Sequence, residues 1–226
     1  MKKENVLVVE AHSDDSVISV AGFLEKFRAK YNYHFLLLAA SDVKMHHAGT
    51  VTRAQRIAEY ETYVKYFEGR WHSDSQVPLD ADGELDQVPF RTLVQIIEFT
   101  INRVRPSLLI CQGPSFHQDH RAVHEATMAA TRPTSRFFPK GMYLMENPTY
   151  VHSLGPQTDF KPDTYVQLTE RELKLKLNCF RTCFPSQIRK GDNYLSEEGI
   201  RSWARYRGIE ARCQYAEALQ TYIRAI

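Results

Sequence analysis

Residues Asn5 to Val20 constrain this chain more than any other stretch. They read N-V-L-V-V-E, then A-H-S-D-D-S, then V-I-S-V. The run Asn5–Glu10 is short, apolar and β-branched, which suits a buried strand. From Val17 onward apolar residues recur at helical spacing, so a helix follows. The turn between them carries His12, Asp14 and Asp15. An open α/β sheet places its site outside the carboxyl ends of its strands. The turn therefore reads as half of a metal site.

The other half should lie in a second turn of the same kind. Ser107–Cys111 (S-L-L-I-C) is again a short apolar run, and Gly113-Pro114 breaks it. Then comes F-H-Q-D-H-R-A-V-H-E-A, with Arg121–Ala130 helical in pattern. His117, Asp119 and His120 thus occupy a second strand–turn–helix junction.

The rest of the chain alternates in the same way. A helix is expected over Val17–Lys30 and a strand over Tyr33–Ala40, followed by a polar loop on the same rim. Thr52 should cap a helix to Phe67, with Gly69 as its stop. Pro89 opens a helix to about Val104, and Arg105-Pro106 ends it. Met142–Met145 and Tyr165–Leu168 read as strands, with a long polar loop over Asn147–Asp159 between them. Thr169 and Glu172 form a capping box for a helix to about Phe184. Helices are expected over Leu195–Tyr206 and Ala211–Arg224. With no repeat and no linker, residues 1–226 are expected to form a single domain. Alternating elements predict an α/β fold, a mainly parallel sheet with helices on both faces.

Bulk properties exclude several classes of function. The formal charge is +2, and no basic run is interleaved with aromatics, so no nucleic-acid partner is expected. No apolar run approaches the ~20 residues of a membrane span. No charged-then-apolar leader precedes the first strand. The four cysteines form no C-x-x-C pair and read as reduced, mostly buried thiols. A cytoplasmic location is expected. Oligomeric state is not legible in the sequence.

The two turns hold the residue types of a hydrolytic zinc site. Such a site takes three protein ligands and keeps a position for water. His12, one of Asp14 and Asp15, and His120 would supply them. Adjacent aspartates on a tight turn point different ways, so one can bind metal while the other faces the substrate as general base. His117 shares a face with His120, three residues on. It could stabilise an oxyanion or donate a proton to a leaving amine. Asp119 could fix the tautomer of a histidine. Simpler roles compete elsewhere: His124 as a second-layer or core histidine, His46 and His47 as a solvated loop, and Ser186-Gln187 as a loop turn.

A-H-S-D-D-S at 11–16 resembles the A-H-P-D-D-E signature of the PIG-L/LmbE-like deacetylases. H-Q-D-H at 117–120, continued by R-A-V-H-E-A, resembles their second signature, H-x-D-H. Two weaker matches are Arg56-Ile57-Ala58-Glu59, for R-x-x-E, and Ser186-Gln187. The resemblance spans about residues 5 to 190. It implies a Rossmann-like fold and zinc-dependent hydrolysis of an N-acyl group, often N-acetyl on an amino sugar. It implies His12, Asp15 and His120 as metal ligands, Asp14 as general base, and His117 as polarising or acid group. Arg56 matches a position that contacts substrate in some members. The implied partner is a small N-acylated glycoside. The alternatives are a metallohydrolase of another amide or ester, and a non-catalytic metal- or ligand-binding homologue. Other divalent transition metals suit the same ligands. The chain departs from the signatures at Ser13 (for Pro), Ser16 (for Glu) and Gln118 (for Pro). Loops 41–51, 72–88 and 146–162 would select the substrate.

Overall fold

The computed structural model describes residues 3–73, 77–149 and 160–225. In chain order its elements are β1 (Glu4–Glu10), α1 (Asp15–Lys26), β2 (Tyr31–Leu37), β3 (Val43–Met45), β4 (Gly49–Val51), α2 (Arg53–Tyr66) and β5 (Arg70–Trp71). There follow α3 (Phe90–Val104), β6 (Leu108–Gln112), α4 (Gln118–Ala130), β7 (Gly141–Met145), β8 (Thr164–Leu168), α5 (Glu170–Cys183), α6 (Glu197–Glu210) and β9 (Tyr215–Arg224). Residues 74–76, and residues 150–159 of the expected long loop, lie outside the described residues.

A seven-stranded sheet has the order β5-β2-β1-β6-β7-β9-β8. The strands from β5 to β7 are parallel, and β9 runs antiparallel to both its neighbours. The mainly parallel sheet expected from the alternation is present. β1 shows why its run is continuously apolar. Val6 and Val8 join the core beneath α1, α2 and α5, while Leu7 and Val9 join the core beneath α3 and α4. A central parallel strand is covered on both faces and needs apolar residues at every position.

The same arrangement makes the crevice. β2 lies on one side of β1 and β6 on the other. α1 packs on one face and α4 on the opposite face. The turns after β1 and β6 therefore part, leaving an opening at the carboxyl ends of the two strands. Local signals position the helices as expected. Thr52 accepts from Gln55 N, and Thr169 and Glu172 form the reciprocal capping box. Arg105, at φ 48°, ends α3 in the left-handed region just before Pro106.

Two expectations fail. The segment expected as a helix over Ala211–Arg224 is the strand β9. Its A-E-A-L-Q core favours a helix by propensity, but β9 fills the gap between β7 and β8 and buries Ala216 through Leu219. Tertiary pairing overrides local preference here. The polar loop after β2 contains a two-stranded hairpin, β3–β4.

β9 also brings in a buried ion pair. Glu217 Oε1 lies 2.6 Å from Lys176 Nζ of α5. Glu217 accepts from the backbone N–H groups of Gly22 and Phe23 at 2.8 and 2.7 Å, and Lys176 Nζ donates to Ile18 O at 2.5 Å. Both charges thus bond to the backbone in the middle of α1. Gly22 permits this approach: a Cβ there would lie 2.6 Å from Leu168 Cδ1 and 2.9 Å from Glu217 Oε1. No described helix is long and apolar enough to cross a membrane.

Candidate metal centre

The two histidine turns meet at the crevice. His12 Nδ1 and His120 Nε2 are 3.2 Å apart, and His120 Nε2 is 3.2 Å from Asp15 Oδ1. His12 Nδ1 lies 3.7 Å from Asp15 Oδ2. The His117 ring is centred 4.8 Å from that of His12 and 4.9 Å from that of His120. His12, Asp15 and His120 are all buried.

The outward-facing atoms of this group are held by neighbours. His12 Nε2 bonds to Asp119 Oδ2 at 2.8 Å, so when His12 is neutral with its proton on that nitrogen, Nδ1 has an inward lone pair. His120 Nδ1 lies 3.1 Å from Ser115 Oγ, which also accepts from His117 N. Asp15 accepts from His12 N at 2.8 Å and from Asn147 Nδ2 at 3.1 Å. Asp119 accepts in turn from the backbone of Gly83 and Leu85. Asp119 therefore orients His12, a role the sequence left unassigned among the histidines.

His117 caps α4, and its Nδ1 accepts from Asp119 N. Its remaining proton is then on Nε2. Asp14 occupies the cap position of α1 yet makes no side-chain cap hydrogen bond. Helix capping therefore does not account for its carboxylate.

Charge is unevenly distributed over the group. Burial opposes a charge on His12, but the carboxylates of Asp119 and Asp15 outweigh it and hold its pKa well above the usual histidine range. Burial would raise Asp15, but the facing His120 and the bond from His12 keep it well below the usual carboxylate range. Burial, and then the charge of Asp15, raise Asp14. Burial, and then the charges of His12 and His120, push His117 down to about 4.

One neighbour, Asp82, was not legible as a site residue. Asp82, in the loop 72–88, places Oδ1 3.7 Å from His12 Nε2 and pairs with Arg56. Arg56 is buried and reaches the site through that pair. Among the described residues two groups bring ligand-type atoms within 4.8 Å of one another: His12, His117 and His120, and His12, Asp82 and Asp119. The two weak motifs meet each other: Glu59 accepts from Ser186 N and Ser186 Oγ at 2.9 and 2.6 Å. His47, expected in a solvated loop, bonds through Nε2 to Ser186 O at 2.9 Å. His124 bonds to Gln112 O.

Below the site, Ser16 leaves room that another carboxyl fills. Glu10 is fully buried and accepts from Ser16 N at 2.9 Å and from Tyr60 Oη at 2.6 Å, while Ser16 Oγ meets Tyr63 Oη. Burial pushes Glu10 from 4.5 up to about 8, despite the bonds from Ser16 and Tyr60. A raised folded-state pKa stabilises the protein fully below the unfolded value, and that contribution is lost as pH rises through the folded value. Metal-free protein should therefore lose stability relative to Glu10→Gln between pH 4.5 and about 8, by about 1.4 kcal/mol per pH unit. Urea unfolding of both proteins at several pH values measures this. A difference that stays constant with pH would show that Glu10 does not titrate in that window.

Residues 7–131 match the PIG-L family, described as GlcNAc-PI de-N-acetylase. No curated protein sequence gives a significant match. Among solved structures, N,N'-diacetylchitobiose deacetylase from Pyrococcus horikoshii superposes with a TM-score of 0.71 at 17% identity, over 96% of this chain and 83% of that one. The A40926 pseudoaglycone deacetylase Dbv21 gives 0.74 at 17%, over 96% of each chain. GalB, the 4-carboxy-2-hydroxymuconate hydratase from Pseudomonas putida KT2440, gives 0.68 at 21%, over 99% and 98%. At such identities these likenesses show the fold, and one of the three proteins catalyses a different class of reaction. The match over residues 7–131, which contains both histidine turns, shows the family: this chain belongs to the PIG-L family.

Proposed function

We propose that the chain is a zinc-dependent N-deacetylase acting on a small N-acylated, amino-sugar-containing substrate. The observation that carries this reading is the convergence of His12 Nδ1 and His120 Nε2, 3.2 Å apart, on the Asp15 carboxylate, whose Oδ1 lies 3.2 Å from His120 Nε2 and whose Oδ2 lies 3.7 Å from His12 Nδ1. Ligand atoms around a tetrahedral zinc, with bonds of about 2.0–2.2 Å, lie about 3.3–3.6 Å from one another. The outward nitrogens of both histidines are already engaged, which supports a fit to the ion. His12, Asp15 and His120 would hold it. A bound zinc supplies Lewis acidity, polarising an acyl carbonyl and lowering the pKa of water to about 7.

The protein's own groups then divide the work. Asp14 is the general base, and burial and the charge of Asp15 raise its pKa, which makes it a stronger base than an ordinary carboxylate. It takes the proton from the attacking water and returns it to the leaving amine. His117 starts neutral, with its proton on Nε2, and acts as a hydrogen-bond donor to the developing oxyanion. Arg56 and its partner Asp82 face the substrate beside His12 and bind its polar groups.

Zinc added to chelator-treated protein should bind at about one ion per chain and release about one proton, because the raised His12 must deprotonate to ligate. Zinc titration in buffers of different ionisation enthalpy reads both numbers. The loaded protein should release acetate from N,N'-diacetylchitobiose and not from matched ester controls. Full zinc loading with no acyl release from any amide or ester would leave only metal binding. Release from esters alone would move the reading to an esterase.

A further inference from the structure

The outer surface of α6 and the turn before it carry aromatic side chains that the deacetylase reading leaves unused. Tyr194 and Tyr206 are 44% and 50% exposed. Trp203 lies between them, its ring centred 6.0 Å from Tyr194 and 5.5 Å from Tyr206. These rings line an open groove of about 750 Å³, together with Asp192, Asn193 and Glu198.

The indole is fixed in place. Its Nε1 donates to Glu146 Oε2 at 2.9 Å, and the Arg207 guanidinium, itself bound to Glu146, lies 5.3 Å from the ring centre. Arg207 also pairs with Glu210, so its charge is committed on both sides. Glu146 and Asn147 are consecutive at the carboxyl end of β7, and Asn147 bonds to Asp15. The residue that anchors the aromatic platform is thus the chain neighbour of one that anchors the candidate metal centre.

The chemistry of the groove selects its occupant. Aromatic faces offer apolar contact to a ring of C–H groups. Carboxylates and an amide at the rim offer hydrogen-bond acceptors for hydroxyls. The two rim carboxylates disfavour an anion. A neutral, polyhydroxylated ring satisfies all three conditions. We infer that this groove is a binding subsite for a neutral sugar ring. This rests on the deacetylase reading for its link to catalysis, but sugar binding can be measured without it.

Trp71 and Trp203 are the two tryptophans of the chain, so two indole N–H resonances report on it. The test titrates metal-free full-length protein with N,N'-diacetylchitobiose, cellobiose and maltose, and with N-acetylglucosamine for comparison. Trp203→Phe assigns the resonances. At least one disaccharide should shift the Trp203 signal and leave that of Trp71 in place. Tyr194→Ala and Tyr206→Ala alter exposed rings, and circular dichroism checks that each folds. Each should weaken disaccharide binding roughly tenfold, the order expected for one lost aromatic contact.

An unmoved Trp203 signal with all three disaccharides would overturn the inference. So would shifts that survive both tyrosine variants, or a self-association abolished by Tyr206→Ala, which would make the patch an interface between copies. Acetate release with no effect at Trp203 would sink the subsite alone. Disaccharide binding at Trp203 with no acyl release would sink the deacetylase reading alone.

Discussion

Asp14→Asn should keep the metal and lose about 10³-fold in kcat, within the range a positioned general base contributes. Three features separate this outcome from a structural one. Asp14 makes no cap bond to α1, so the helix does not depend on its charge. The atoms closest to the ligand geometry belong to His12, Asp15 and His120, so zinc content should stay near one per chain. Asn is nearly isosteric, so the melting temperature should hold or rise, since a half-buried carboxyl beside Asp15 has been removed. Steady-state kinetics, elemental analysis and a melting curve on one preparation decide the matter. Activity within tenfold of the parent would assign the base elsewhere. Loss of zinc would move Asp14 into the ligand set.

Lys176→Met should destabilise the fold by about 3–5 kcal/mol, the cost of leaving one member of a buried ion pair without its partner. Both members are almost entirely buried. Glu217 would keep the N–H groups of Gly22 and Phe23, while Ile18 O would lose its donor. In a chain of this size the loss corresponds to a fall in melting temperature of roughly 10 °C. The double variant Lys176→Met with Glu217→Gln should recover a large part of the loss, because neither buried charge then remains. Urea unfolding of the four proteins forms the complete cycle. A single-variant cost below about 1 kcal/mol would mean that water reaches the pair.

The crevice was readable because its makers act locally. A short apolar run, a turn and a helical repeat identify each strand–turn–helix unit, and two such units imply a shared rim. Thr52 and Thr169 were readable for the same reason, since a cap bonds within three residues. What was not readable depends on distant pairing. Asn147 reaches Asp15 from 132 residues away, and Asp82 looks like any turn aspartate until Arg56 and His12 flank it. β9 has the composition of a helix and becomes a strand because β7 and β8 flank a vacant position. Glu10 closes a run that the sequence shows only as apolar, and it takes the packing of Tyr60 and Tyr63 to reveal why a carboxyl belongs there.

β9 comes later in the chain than both of its neighbours in the sheet. During synthesis β7 must therefore wait with one row of backbone donors and acceptors unsatisfied, and β8 with no strand partner at all, until residues 215–224 emerge from the ribosome. Unpaired edges of this kind recruit strands from other molecules. The nascent polypeptide is most exposed to aggregation in that interval, and a chaperone that shields β8 would act before the last ladder closes.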